Sequence, residues 1–455
     1  ATVNLGRSGG TVNLTCGATQ SGFGRTGTVD WITTPKVTGD SPITGVTGKG
    51  YFLNTTAGTI TLNLPAGAAG SIVSMADYAR TWGTYNVTVA PNGSEKIGGI
   101  AQDATLSTLG QSVTFVYIDS TQGWVNVQDS TSAVAGAPPF PVATGGNAIV
   151  TCGDYKMHVF TGPGTFCVSG VSSCAPVNAV DWMVVAGGGS GGARSPGNGN
   201  GGGGAGGYRE SPGAATCYTA SPLGASPAAA VTISIQGYPI AVGAGGPAAC
   251  GSSATRGNAG SVSSFSTYPS AGGGEGGAGN TSGPLTPGGD GGSGGGAGGG
   301  CGPSGQPGGT GNTPSVTPAQ GRDGGTGGNS SPDGQAGGGG GAGAVGGNAA
   351  PNASGVGGDG VGTAILGSTP TAPSYGTPGP APGRYFAGGG GGSDAPNAPS
   401  PASGGAGGGG TGMVSPVADG DINTGGGGGG STFGSSPTLS GAGGSGIVII
   451  RYKFQ

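Results

Sequence analysis

Charge is scarce in this chain. Lys, Arg, Asp and Glu make up 7% of its 455 residues, the net charge is −4, and no Lys/Arg cluster occurs. That leaves no electrostatic footprint for gripping nucleic-acid phosphates, and nucleic-acid binding is excluded. Histidine is scarcer still: His158 stands alone, in a strand pattern near Asp154. With a single histidine and no metal-ligand pair, a structural histidine and a non-enzymatic protein are expected. Seven cysteines (Cys16, Cys152, Cys167, Cys174, Cys217, Cys250, Cys301) lie far apart without a Cys-x-x-Cys pair. Neither a zinc ribbon nor a thioredoxin-like site is supported, and the odd count leaves at least one thiol unpaired within the chain. Cys167 and Cys174 are spaced to close a short loop; the alternative is that they are plain loop or buried thiols. No run of 18 apolar residues occurs, and Ala1 to Gly10 lack the basic start and apolar middle of a signal peptide. A water-soluble product without membrane insertion or signal-directed export is expected. The missing initiator Met suggests processing or absent upstream residues, and with them an attachment region.

Glycine is abundant instead. It supplies 118 residues, about a quarter of the chain, where roughly 7% is usual, so an ordinary packed core cannot account for the whole molecule. The excess lies in 186–446, in runs such as Gly201–Gly207 (broken by Ala205) and Gly425–Gly430, whereas residues 1 to about 185 have the composition of a β protein. Three units are read: a β-rich assembly or shaft domain over 1–135, a small β connector over 140–185, and a glycine-rich head over 186–455.

In the first unit, Thr59–Leu64 alternates polar and apolar, Pro65-Ala66-Gly67 turns the chain, and Ile72–Met75 follows, a pattern that predicts a half-buried hairpin. A second hairpin is predicted for Val113–Ile118 and Trp124–Val127 around Asp119–Gly123. The connector contributes Ala148–Val150, Lys156–Phe160, Thr165–Val168 and Val180–Val185. The last strand, Gly446–Phe454, is expected to pair with Trp182–Val185 and Val231–Ile235, pinning the glycine-rich region at both ends. The fold class expected is mainly β, with an antiparallel N-terminal domain, a β connector, a polyglycine/polyproline II-helix bundle with flanking strands, and essentially no α-helix.

A glycine-rich region can equally be a flexible linker. Here the runs recur at separated places, each bounded by Pro, Asn, Asp or Ser, and strands such as Val231–Ile235 and Ile240–Gly243 lie among them. Runs of six to nine residues span roughly 19–28 Å at about 3.1 Å per residue in polyproline II geometry, enough to cross a domain. Such a helix has no internal hydrogen bonds, and ordering its glycines costs about 1–2 kcal/mol per residue. Lateral pairing between helices must offset that cost, and lacking a Cβ is what permits the close approach.

The segment Ala143-Thr144-Gly145-Gly146, then Gly153–Phe166, then Val180–Gly189, looks like a module common in bacteriophage tail-fibre proteins. The ending Gly443–Tyr452 is similar to the close of the same glycine-rich domain, so the resemblance brackets 140–455. Residues Gly50–Leu53 through Val89–Gly93 resemble β domains of marine and cyanophage fibres. In the distal adhesins of T-even-like phages, polyglycine II helices carry variable loops that contact outer-membrane receptors. The resemblance therefore implies a virion adhesin, commonly a homotrimer joined to other tail proteins, that binds a bacterial outer-surface receptor, protein or glycan, through segments between glycine runs. Here those segments are long and rich in Pro, Ala and Ser, as in Tyr208–Pro227 and Ala349–Tyr385, and depart from the T-even signatures.

Aromatics in the inserts are the candidate receptor contacts: Tyr208, Tyr218, Phe265, Tyr268, Tyr375, Tyr385, Phe386 and Phe433, with Tyr238 beside them. Each has a rival reading as satellite core. Asp290, Asp323, Asp333 and Asp359 lie in glycine-rich loops, where calcium binding or a glycosidase pair could be imagined, but turn formation through their own backbone is expected. No cofactor is implied. Two other functions fit the composition: a structural fibre protein whose glycine runs pack between subunits, and an ice-binding polyglycine II bundle, for which a regular Gly-x-x spacing is lacking.

Overall fold

The computed structural model describes residues 29–130, 140–172, 174–193, 198–212, 218–225, 230–251, 253–279, 286–300, 305–329, 334–367, 375–381, 383–394, 401–412, 417–432 and 438–455. The chain forms two compact units, Ala1–Gly136 and Ala137–Gln455. Both are built from β-strands and extended chain, and the described residues contain no α-helix, only short 3-10 turns at Thr38–Asp40 and Ala175–Asn178.

The first unit contains β1 (Asp30–Val37), β2 (Ile43–Thr44), β3 (Lys49–Asn54), β4 (Ile60–Asn63), β5 (Ile72–Asp77), β6 (Val87–Ala90), β7 (Ala104–Leu106), β8 (Ser112–Asp119) and β9 (Gly123–Ser130). Odd strands form one sheet with β8, in the order β1-β3-β5-β8-β9; even strands form the other with β7, in the order β2-β4-β6-β7. Pairing is parallel from β1 to β5 and from β2 to β6, so the chain coils from sheet to sheet before closing with antiparallel strands. The hairpin predicted for 59–64 and 72–75 is therefore not formed: Ile60 pairs with Val87, while Val73 pairs with Lys49 and Phe115. The reason lies in the core, where Ile60, Leu62 and Leu64 join Val73 and Met75 in one buried cluster as inward residues of two different sheets. Two alternating strands and a turn satisfy either arrangement equally. The β8–β9 hairpin does form, its turn held by Asp119 Oδ1 accepting from Thr121 N and Gln122 N at 2.8 Å.

The second unit begins with β10 (Val142–Thr144), β11 (Ala148–Cys152), β12 (Tyr155–Phe160), β13 (Gly164–Gly170) and β14 (Ala179–Val185). It continues with β15 (Tyr208–Ser211), β16 (Val231–Thr232), β17 (Gly237–Ala241), β18 (Cys250–Gly251), β19 (Ser263–Phe265) and β20 (Tyr268–Ser270). It ends with β21 (Val361–Thr363), β22 (Arg384–Phe386), β23 (Thr438–Leu439) and β24 (Ile447–Lys453). Residues 140–185 thus supply strands of the same compact unit as the glycine-rich region. The terminal strand β24 sits mid-sheet, antiparallel to β12 on one side and β14 on the other, in the order β11-β12-β24-β14-β15. Trp182–Val185 is its partner as expected; the other flank is taken by Tyr155–Phe160 instead of Val231–Ile235. Six consecutive residues of β12 match β24 from Lys453 to Val448, whereas β16 offers two residues and spends them on β14.

Strand β24 is buried on both faces. Val448, Ile450 and Tyr452 point into a core shared with the sheet β10-β13-β17-β19-β20, around Phe160, Phe166, Trp182 and Phe265. Ile447 and Ile449 join Met157, Val159, Met183 and Val185 in a second cluster, which also takes Ala205, Tyr208, Ala342, Phe386 and Ala387 from the glycine-rich segments.

Those segments form straight rods with a period of three. In the rod 198–207, N–H groups donate in rotation to three neighbours: Gly201, Gly204 and Gly207 to Gly277, Gly274 and Ala271; Gly199, Gly202 and Ala205 to Gly334, Gly337 and Gly340; Gly203 and Gly206 to Gly428 and Gly425. The carbonyls of the same rod accept in rotation from three more: Gly201, Gly204 and Gly207 from Gly192, Gly189 and Ala186; Gly199, Gly202 and Ala205 from Gly299, Gly296 and Ser293; Asn200 and Gly203 from Ser393 and Gly390. Six neighbours around one threefold rod is hexagonal packing, and three residues per turn is polyproline II periodicity. The rod spacing leaves no room for side chains at its interior glycines: a Cβ on Gly201, Gly202, Gly203 or Gly206 would stand 2.0–2.1 Å from a carbonyl oxygen next door. One lateral hydrogen bond contributes about 0.5–1.5 kcal/mol against about 1–2 kcal/mol of backbone entropy per residue. Close packing and the apolar clusters at the strand end must supply the remainder.

Candidate functional site

The rod registers sort the two ends of the lattice. Ala186, Gly207, Ala271 and Gly446 lie at the end where rods meet strands. At the opposite end the flanking pairs 193 and 198, 279 and 286, 300 and 305, 329 and 334, 394 and 401, 412 and 417, and 432 and 438 come to one level, with the connections through Pro247 and Pro351 beside them. Every connection between rods at this end carries proline: Pro196, Pro247, Pro284, Pro303, Pro332, Pro351, Pro396, Pro416 and Pro437. Proline has no N–H to give the lattice, which is a physical reason for the rods to stop there.

Short polar side chains finish the rods at this end. Asn200 accepts from Gly279 N at 3.0 Å and donates to Ser431 O; Ser393 Oγ accepts from Asn200 N at 2.8 Å; Asn198 Oδ1 accepts from Gly334 N at 3.2 Å. Asp394 is buried, accepts from Ser354 Oγ, and has its carboxyl pushed above the ordinary value by desolvation. Asn198 Nδ2, Asp394 Oδ2 and Thr432 Oγ1 are buried without a hydrogen-bond partner among the described residues. The described rod ends are thus lined by buried amide, hydroxyl and carboxyl groups.

The aromatics singled out in the sequence are not brought together here. Tyr208, Phe265 and Phe386 are at most 1% exposed and Tyr385 is 8% exposed. Tyr208 and Phe386 lie under the sheet, Phe265 inside the sandwich, and none of them can present a contact face in this conformation. Tyr238 is likewise in the sandwich core. Tyr268 is half-buried against Trp182 at 4.5 Å, Tyr218 and Tyr375 are half-buried against the cluster under the sheet, and Phe433 lies outside the described residues. Apolar area that looks spare in a glycine-rich sequence is used where rods meet strands, because nothing else there can fill a core. Sequence reasoning does not single out Asn198, Asn200, Ser393 and Asp394; the signal for them is the Asn, Ser or Asp beside most of the proline-bearing breaks.

A buried polar network surrounds Glu210, which accepts from Tyr208 Oη at 2.9 Å, Tyr218 Oη at 3.0 Å, Thr363 Oγ1 at 2.7 Å and Ser221 N at 2.8 Å. Burial raises both tyrosine hydroxyls far above their ordinary range, with the Glu210 charge adding to it. They are permanent donors that tie β15, β21 and the 218–223 segment together. Asp290, Asp323 and Asp359 do not make turns through their own backbone. Each accepts an amide from another rod, Thr310 N at 2.6 Å, Gly311 N at 2.7 Å and Ala406 N at 2.8 Å, so these carboxylates cap neighbouring rods; Asp333 lies outside the described residues. Cys152, Cys167, Cys174 and Cys250 are free thiols, so the loop closure considered for Cys167 and Cys174 is not made. Among the described residues no cluster of three His, Cys, Asp or Glu side chains could hold a metal ion, and no helix is long and apolar enough to cross a membrane.

His158 is fully buried, with Nδ1 2.6 Å from Gly145 O and Nε2 3.1 Å from Tyr452 Oη. That geometry suits the neutral ring, Nδ1–H donating and Nε2 accepting, and desolvation, opposed by the Gly145 contact, lowers its pKa below 6.5. A folded state that resists protonation holds its full contribution above about 6.5 and loses it as pH falls toward the depressed value. Denaturation of wild type and His158→Gln at pH values from about 8 to about 5 should therefore differ in slope by up to about 1.4 kcal/mol per pH unit, the wild type losing more in acid.

A family model described as a glycine-rich domain matches residues 161–453, more than half of the chain. No curated protein matches the chain.

Proposed function

From a chain that belongs to the glycine-rich domain family, we infer an adhesin: a tail-fibre protein of a virion that attaches to a bacterial surface receptor through the proline-bearing end of its lattice. The observation that carries this reading is the sorting of the rod ends. One end is closed by strands and apolar clusters, and at the other the described rod ends come to one level, flanking the proline-bearing breaks of the sequence. A lattice whose interior glycines admit no Cβ leaves its connections as the place where sequence can vary with least cost to the fold. The connecting sequences between rods at this end are rich in Ser, Asn and Pro and poor in charge, a composition suited to hydrogen bonding to a polar receptor, protein or glycan, with little electrostatic steering. The assembly such a role calls for is a homotrimer joined to other tail proteins.

The test is binding of the labelled full chain to a panel of bacterial cells. Replacing residues 248–254 and 349–353 by glycine-serine segments of equal length should lower binding to a selected host about tenfold, roughly 1.4 kcal/mol. The same exchange over 314–318, a connection at the strand end, should leave binding unchanged. Host-independent binding, or equal loss at both ends, would reject the adhesin and favour a fibre whose rods pack between subunits.

A further inference from the structure

We propose that the second unit carries a separate binding site for a neutral hexose at the strand end of the lattice, in the cleft lined by Tyr375, Gly376, Thr377, Asp421, Ile422, Asn423 and Thr424. It goes beyond the attachment reading, which concerns the other end of the rods. The cleft measures about 420 Å³, within the range of roughly 300–1,000 Å³ in which small ligands are bound.

Its chemistry points to one ligand class. Tyr375 packs against the cluster beneath the sheet and lines the cleft, bringing to it the aromatic surface on which the C–H side of a pyranose stacks. Asp421 supplies carboxylate acceptors, to which no described residue donates; the Thr424 hydroxyl goes to the Asp421 main-chain oxygen instead. Asn423 Oδ1 accepts from Ser445 Oγ at 3.3 Å, which leaves the Nδ2 hydrogens to donate. Thr377 Oγ1 accepts from Gly407 N at 2.8 Å, and its own hydrogen remains to donate. A carboxylate beside two donors matches adjacent sugar hydroxyls, each of which donates and accepts. No Lys or Arg lines the cleft, and the Asp421 charge disfavours phosphates and carboxylates.

Both walls are set before any ligand arrives. Arg384 donates to the main-chain oxygens of Tyr375 and Gly376, and Thr377 pairs with Tyr385 through both N–H···O bonds at 2.9 Å. On the facing turn, Asn423 N donates to Ser445 Oγ at 2.9 Å and Gly426 N to Thr424 Oγ1 at 3.1 Å. Asn423 has φ +60°, and its neighbour Ile422 is left 75% exposed at the rim. Ile422 beside Asp421 gives the rim one apolar and one polar side.

The experiment is a ligand-observed NMR titration of the full chain with glucose, galactose, mannose and N-acetylglucosamine, with choline as the cationic control. Saturable millimolar binding of at least one hexose is expected, weakened at least about tenfold by Asp421→Asn and by Tyr375→Ala, and less than about threefold by Tyr375→Phe. Asp421→Asn should melt as the wild type does, since that carboxylate supports nothing else. No saturable hexose binding, hexose binding indifferent to Asp421→Asn, or binding of choline in preference to every hexose overturns the proposal. Distal-end exchanges that abolish cell attachment but leave hexose binding intact would support both readings, and loss of either alone separates them.

Discussion

Gly203→Ala is expected to destabilise the second unit by about 3 kcal/mol or more, although it adds a single methyl group. A Cβ at this position would lie 2.1 Å from Gly189 O and 2.6 Å from Gly189 C, and neither atom belongs to a side chain that can swing away. Relief requires the rods 186–193 and 198–207 to separate by more than about 1 Å. That strains the bonds from Gly189 N to Gly204 O at 2.8 Å and Gly192 N to Gly201 O at 2.9 Å, and the displaced rod then presses on its remaining neighbours. Against a total stability of roughly 5–15 kcal/mol the loss is large. Gly162→Ala is the control, because a Cβ there meets nothing within 4 Å. The measurement is denaturation followed by Trp182, the single tryptophan of the second unit. Near-equal midpoints for the two variants would contradict the lattice.

Removing Asp181 is the second large effect, at about 3–5 kcal/mol. Asp181 Oδ2 and Arg451 Nη1 are 2.7 Å apart, each side chain 6% exposed, on directly paired residues of β14 and β24. The guanidinium lies 3.6 Å from the ring centre of Tyr155 and 4.9 Å from that of Tyr218. Asp181→Ala leaves that cation in place with its paired carboxylate gone, at the strand that closes the unit. Combining it with Arg451→Met, which fills similar volume without charge, should recover most of the loss, since the penalty comes from an uncompensated charge and not from the absence of attraction. A double variant as unstable as Asp181→Ala alone would show that the pair acts through shape.

The features legible in the amino-acid sequence are local ones. The β8–β9 hairpin is legible because Asp119 and Gly123 sit where a turn needs them. Ile447–Phe454 is legible as a strand anchored by Trp182–Val185, since a continuous apolar run is buried on both faces. Pattern alone misplaces 59–64 and 72–75 as a hairpin, because alternation states which residues face inward and not which strand lies alongside. It leaves Tyr208, Phe265 and Phe386 open between receptor contact and core for a related reason: they stand amid glycine in sequence, but their neighbours in space are Val185, Phe166 and Ile449. That Asn200 meets Ser393 is illegible, because the two are separated by nearly 200 residues of chain.

By itself, the sequence determined that this chain builds β structure and glycine rods, without α-helix among the described residues, since glycine runs bounded by proline can neither stack side chains nor continue past a residue lacking N–H. Only the tertiary structure decided which rods are neighbours, which end is closed by strands, and which aromatics are core. The physical reason is that a glycine presents the same surface at every position. Rod order is therefore set by the few side chains at the rod ends and by the sheet that pins them, and those contacts link residues far apart in the chain.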